Sequence, residues 1–487
     1  MFRHQIYQQL GQQKDEFLKR IAAQAKRVGM PEKWKGTIGL TGSNSARPAY
    51  LRPDVVASMA EGSRSSKNLV SYLDEIRLVV KQEYGDDYDA LPINTCEAAL
   101  WAALETFAAP PLAGRGDNYR TRYVALYEAH SEHQVGYGRP FPPKYKDAFA
   151  DRANIAGELG VLGRRLSNLD VIIVPIEGAR YEPHGIKSFI VPLLTSANTR
   201  KTKAKLARII ERHVESVSAL VSLGYDSPGY GYGEKSDGIT PDLKAAMGSL
   251  ARAYEIPYIV DNARGIPFVG AHPRKMHADL MLFSMDKVAG APTSGLIVGR
   301  PEYIIPLQRA IGWHSERFGG GNLTYGKGVY APFDPGREAI VGQLAALRWV
   351  QANKKRIRRM IDQFHAITRE EYKPLLKKYG DGILISQSYN GGAVEINYVD
   401  TWNDGAVGIP VFSTEDKAAG MNYISAGLAV LGILPPSPDE GNVVMTTGRG
   451  LVDESGDLIP DKARIAVRGL VTVLSVLGEM ARQIARR

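Results

Sequence analysis

Between residues 120 and 300 the chain returns again and again to short apolar runs separated by helical periods, and few folds accommodate that alternation. The runs lie at 123–127, 171–176, 219–223, 257–260, 280–283 and 296–298, with helix-like stretches such as 240–254 between several of them. Continuous apolar strands alternating with helices predict an α/β fold, with a mostly parallel sheet covered by helices on both faces. The last third differs. After a helical segment at 336–354 come strand-like stretches at 382–386, 393–399 and 442–447, then a helix through Ile465, Leu470, Leu474, Leu477 and Met480. That pattern predicts a small α+β lobe. The expected division is an N-terminal helix or arm over residues 1–50, a large domain over 51–330 and a small C-terminal domain over 331–487. The glycine-rich 318–328, FGGGNLTYGKG, reads as a mobile loop between the lobes.

A chain of 487 residues with 44% hydrophobic content can bury more than one core. No apolar run reaches the roughly 18 residues needed to span a bilayer. The start, MFRHQIYQQLGQQKDEFLKR, lacks the apolar centre of a signal peptide, so the expected location is the cytoplasm. One cysteine, Cys96, excludes an internal disulfide and any multi-cysteine metal site. His130 and His133, with Glu128 and Glu132 beside them, could form a metal site on paper, but no further ligand follows in a fixed pattern; no metal is expected. The formal charge of +9 is a mild excess spread along the chain, with one concentration at 199–212, TRKTKAKLARIIER. A solvated basic helix face explains that run more simply than a phosphate backbone does, so no nucleic-acid partner is expected.

In open α/β sheets ligands sit beyond the carboxyl ends of the strands, so side chains just after strands are the candidates. Lys287 follows the run at 280–283 in FSMDKVAGAPTSGLIVG, where it either closes a surface turn or is held as an amine inside a site. A buried lysine has a lowered pKa and forms Schiff bases. Ser284 in the same segment offers a hydroxyl for a phosphate. Asp261 ends the strand of IPYIVDNARG, where a carboxylate must find a partner or stay wet; a protonated pyridine nitrogen is one such partner. Asn94, Thr95 and Cys96 open the helical run INTCEAALWAAL, as a phosphate-binding helix start or as a plain cap. The histidines of YEAHSEH, His130 and His133, can stack on a planar ring or be loop residues. Arg449, in VVMTTGRGL, offers a fork for an α-carboxylate or a surface ion pair. A thiol at a helix start, as in Cys96, can also be a lowered-pKa nucleophile or a small space-filling residue. The tract Gly229-Tyr230-Gly231-Tyr232-Gly233 lacks the dinucleotide-binding spacing.

Together these residues describe a site for pyridoxal 5′-phosphate and an amino-acid substrate. Their order and spacing resemble the fold type I pyridoxal-phosphate enzymes, the aspartate aminotransferase superfamily, over roughly residues 40–480. ADLMLFSMDKVAGAPTSGLIVG is most similar to the lysine segment of bacterial selenocysteine synthase and related ammonia-lyases. GREAIVGQLAALRWV resembles the helix that follows it, and Glu97-Ala98 resembles the Thr-Glu-Ala phosphate loop. The resemblance implies a large cofactor domain with a seven-stranded-type sheet and a small α+β domain. It also implies Lys287 as the Schiff-base lysine, Asp261 as partner of the ring nitrogen, and Thr95 with Cys96 as the phosphate cradle. His130 then stacks on the ring, with His133 as rival, and Arg449 binds the substrate carboxylate. A homodimer with sites at the interface is implied as well. The segment 141–205 and the N-terminal arm match no subfamily.

The residue before the lysine is Asp286 rather than the histidine of group II-type decarboxylases. Loss or replacement of a β-substituent, by a lyase or transferase, is the first expectation. Amino transfer is second, and a tRNA-linked amino acid third, resting only on the basic run. A non-catalytic cofactor-binding protein is the remaining alternative.

Overall fold

The structure is a computed structural model that describes residues 3–41, 51–107, 114–115, 118–119, 122–127, 170–175, 199–311, 333, 335–411, 422–439, 442–448 and 450–487. Its centre is a seven-stranded sheet. The strands are β1 (Asp89–Ile93), β4 (Arg122–Tyr127), β5 (Asp170–Pro175), β6 (Val217–Leu223), β7 (Tyr258–Asp261), β8 (Leu280–Ser284) and β9 (Gly295–Gly299), in the order β1-β9-β8-β7-β6-β4-β5. β9 runs antiparallel to both neighbours, and the other described pairings are parallel. A separate ribbon pairs β2 (Gly114–Arg115) with β3 (Asn118–Tyr119).

All six expected strands are present, displaced by one or two residues. Within this sheet, β1 is the strand that sequence reading misses. Pro92 interrupts its five residues and removes a ladder donor, which a strand tolerates at a sheet edge, and among the described strands β1 pairs only with β9. Side chains alternate between two cores, as strand geometry requires. Leu91, Ile93, Ala219, Val221, Ile259, Leu280, Leu282 and Ile297 face helices α5 (Cys96–Phe107) and α8 (Pro301–Ile311). Ala90, Leu220, Val260, Met281, Phe283 and Leu296 face the other side. Helix α6 (Thr199–Arg212) buries Thr202, Leu206 and Ile210 and leaves Lys201, Lys203 and Arg208 outside, so the basic run is the solvated face of an amphipathic helix, packed on α7 (Asp242–Ala253).

A second sheet, β10-β11-β13-β12, is antiparallel: β10 (Leu384–Ser388), β11 (Ala393–Asn397), β12 (Ser437–Asp439) and β13 (Asn442–Thr446). Val394, Ile396, Val443 and Met445 on one face join the core. The long helix α9 (Arg337–Glu371) contacts both this sheet and helices α3 (Pro53–Arg64) and α4 (Leu69–Tyr84), bending where Asn353 leaves helical dihedrals. Helices α10 (Tyr423–Val430) and α11 (Pro460–Ala485) complete the lobe. The first helices, α1 (Arg3–Gly11) and α2 (Lys14–Val28), dock on it: Phe17 meets Tyr423 edge-on with ring centroids 4.9 Å apart, and the Tyr423 hydroxyl donates to the Leu10 carbonyl. The chain then pairs with the small lobe, Leu40 donating to Leu434 at 3.0 Å and Thr446 donating to Leu40 at 3.2 Å.

His130, His133, Arg449, the loop 318–328 and most of 141–205 lie outside the described residues. No described helix is long and apolar enough to cross a membrane.

Candidate active site

Asp261 is the last residue of β7, at the carboxyl end of the parallel strands, opposite Leu223 of β6 and Leu282 of β8. It is 7% exposed. Its Oδ1 accepts from the Ala263 amide at 3.2 Å and from the Cys96 thiol at 3.7 Å, while Oδ2 accepts no hydrogen bond from the described residues. Burial pushes the Asp261 carboxyl up from its ordinary range, against the opposing pull of the Lys287 cation and of the two donors.

Lys287 stands three residues beyond β8, half-buried, in the connection to β9. That turn is pinned by Met285 donating to Ser294 at 2.8 Å and Ala291 donating to Met285 at 2.9 Å. Gly290 has φ 72°, in the left-handed region where a side chain is strained, so the glycine of the motif is a backbone requirement. Gln343 from α9 donates to the Gly295 carbonyl at 2.8 Å and ties the start of β9 to the long helix. The Lys287 charge acts on Asp261 and on Cys96 alike, which places the amine in the same buried neighbourhood.

The start of α5 closes the site from the third side. The Thr95 hydroxyl accepts from the Ala98 amide at 3.0 Å, an N-cap that occupies an oxygen lone pair and leaves the hydroxyl proton to give. The Asn94 backbone N–H donates to the Phe333 carbonyl at 2.8 Å. A Cβ on Gly295 would fall 2.6 Å from the Thr95 carbonyl group, so β9 and the helix start touch backbone to backbone. Cys96 points its thiol at Asp261 rather than out of the helix end. Burial first, then the Asp261 charge, push that thiol well up, which removes the lowered-pKa nucleophile from consideration. Ser284 gives its proton to Asp286 at 2.7 Å, so a phosphate would have to compete with that carboxylate for it.

Thus Asp261, Lys287, Thr95 and Cys96 converge. Sequence reading missed the supports. Asn262, next to Asp261, exchanges side-chain amide bonds with Asn390 of the β10–β11 turn at 3.1 and 2.6 Å, and Asn390 also donates to the Gly224 carbonyl at 2.6 Å. The Asn-Gly of SYNGGAV is a hairpin signal that could have marked this turn, though not its partner. The glycine tract at 229–233 begins in a one-turn 3-10 helix, Pro228–Tyr230, packed on the small sheet. A Cβ on Gly229 would lie 2.9 Å from Asn442 Oδ1, so this glycine serves a close approach between lobes. The described residues hold no cluster of three or more metal-ligating side chains.

No family model matches the chain, and no curated protein matches its sequence. Among solved structures it is similar to SepCysS in its complex with the N-terminal domain of SepCysE, with TM-score 0.53 and 13% identity over 92% of this chain and 95% of that one. It is also similar to ureidoglycine-glyoxylate aminotransferase from Bacillus subtilis, with TM-score 0.50 and 13% identity over 92% of this chain and 97% of that one. With the mostly parallel seven-stranded sheet and small α+β lobe, these likenesses show the fold type I architecture.

Proposed function

We propose that this chain is a pyridoxal 5′-phosphate-dependent enzyme acting on a small amino-acid substrate. The observation that carries the reading is the pairing at neighbouring strand ends. A buried carboxylate has one oxygen held by the protein and the other left open by the described residues, and a lysine stands on the next strand's turn. The residues fit the group: Oδ2 of Asp261 suits a protonated ring nitrogen, the N-terminus of α5 suits a phosphate, and Lys287 suits an aldehyde.

When bound, the cofactor supplies an aldehyde that joins amines and a ring that takes up electrons from bonds at the substrate α-carbon. Asp261 holds a proton at the ring nitrogen; its burial is then matched by a positive partner. With the cofactor bound, Lys287 would be the amine that meets its aldehyde and the base that takes the α-proton and returns a proton where the product needs one. Thr95 donates its hydroxyl proton to the phosphate, beside the partial positive charge of the helix start. Asn94, Ser284 and the ring-stacking His130 or His133 belong to the same cofactor reading, and Arg449 to carboxylate binding. The proposal assigns residues 51–330 to the cofactor lobe and 331–487 to the lobe that closes on the substrate, in a homodimer.

For the reaction, loss or replacement of a β-substituent is our first reading, because the lysine segment is similar to that of selenocysteine synthase and ammonia-lyases. Amino transfer is the second, favoured by the fold's likeness to an aminotransferase.

The test is the absorption spectrum of purified protein given pyridoxal 5′-phosphate, followed by borohydride reduction and peptide mass mapping. A phosphopyridoxyl group on Lys287 in the wild type, and none at that position in Lys287→Ala, is the expected result. Uptake of no cofactor, or its attachment elsewhere, sinks the reading. Candidate amino acids are then distinguished by whether ammonia, a keto acid or a β-substituted product accumulates.

A further inference from the structure

We propose that Cys96 is a positioning residue: its thiol, donating to Oδ1 of Asp261, sets the carboxylate so that Oδ2 is the oxygen presented to the ring nitrogen. The inference rests on the cofactor reading above and extends it to a residue that does not itself touch the ring.

The geometry has three parts. Oδ1 receives two donors from different elements, the Cys96 thiol at 3.7 Å from the first turn of α5 and the Ala263 amide at 3.2 Å from the segment after β7. Oδ2 receives none from the described residues. A carboxylate held through one oxygen from two directions cannot exchange its oxygens by rotating without losing both bonds.

The chemistry of the donor matters as much as its place. Burial and the neighbouring carboxylate keep the thiol in its protonated form, so it acts as a donor and not as a second negative charge. Sulfur is also a weak donor. A strong donor would draw charge from Asp261 and weaken its hold on a ring proton, whereas a thiol orients the carboxylate and leaves it basic. Cys96 is 6% exposed, which keeps water from replacing it.

Cys96 is the one cysteine of the chain, so its S–H stretching band in the infrared comes from a single group without labelling. In the cofactor-free protein the band is expected at the lowered frequency of a hydrogen-bonded thiol, moving to the free-thiol position in Asp261→Ala. A free-thiol band in the wild type, or a band that Asp261→Ala does not move, overturns the proposal.

The second measurement compares binding of pyridoxal 5′-phosphate with binding of its 1-deaza analogue, in which a ring CH replaces the nitrogen. Cys96→Ala is expected to weaken the natural cofactor roughly threefold to tenfold, and to leave the deaza analogue unchanged. Cys96→Ser keeps a donor on Oδ1 but draws more charge from the carboxylate, so it is expected to recover only part of the natural cofactor's binding. Equal weakening of both ligands would mean that Cys96 only fills space, and overturns the proposal. If the wild type binds neither ligand, the functional reading falls and takes the role toward the ring with it, while the infrared band still reports whether thiol and carboxylate are joined.

Discussion

Burial makes Asp261 hold its proton more tightly than an ordinary carboxyl does, and that sets what its replacement should do. A carboxylate that must be anionic in a dry site is useful only against a cation, here the ring nitrogen's proton. Asp261→Asn keeps the shape and removes the charge. For any amino acid the enzyme accepts, turnover is expected to fall roughly 10²–10³-fold, read by steady-state kinetics against the wild type; an undiminished rate would remove Asp261 from the chemistry. Both Asp261 and Lys287 are legible in the sequence because each stands at the end of an apolar run, where a charged side chain needs a reason. The partner of Cys96 is not legible. It lies 165 residues away, and the helical letters around Cys96 read equally well as a phosphate loop. Thr95 shows the opposite difficulty: its cap is visible in the letters, but capping and phosphate binding leave the same trace.

Alternation along β11 predicts one apolar face and one wet face, and only the first is as expected. Val394 and Ile396 enter the core, but Glu395 and Asn397, on the other face, are 4% and 2% exposed. They pack on the Pro228–Tyr230 turn of the large lobe. Period-2 patterning reports polarity and cannot say what covers it. Glu395 there meets the carboxylate of Asp226, the hydroxyl of Ser227 and the cations of Arg264 and Lys235, and Lys235 also pairs with Asp226 at 3.1 Å. Burial, then the Asp226 charge, raise its pKa from 4.5 to about 7. With the folded value above the unfolded one, the native state binds the extra proton, so this group's contribution to stability is lost as pH rises from about 4.5 to 7. The unfolding free energy from denaturant titrations should decline across that window by roughly 3 kcal/mol in the wild type. The decline should flatten in Glu395→Gln, and an equal slope in both proteins would assign the titration elsewhere.

At the scale of the whole molecule, the first helices are part of the small lobe's packing. Phe17 is fully buried against Tyr423, and a Cβ on Gly427 would lie 2.9 Å from its ring. Phe17→Ala should cost about 3–5 kcal/mol, measured by chemical denaturation; a loss below 1 kcal/mol would mean that the arm is only loosely laid on. The sequence shows that the residues before 35 form a helix or arm, yet not where it docks. Its partners lie some 400 residues later, and amphipathic spacing reports a buried stripe without an address. The two-lobed class, by contrast, is legible from the change in pattern after residue 330. One feature of the large sheet bears on how such a chain assembles. Each described parallel pairing must wait for a crossover to close, whereas β8 and β9 form an antiparallel pair joined by ten residues, 285–294. Loop-closure entropy therefore favours this hairpin over every other pairing in the sheet. The turn that carries the lysine is then the cheapest closure among the described pairings of the sheet, so the reactive end of the site is also its most local part.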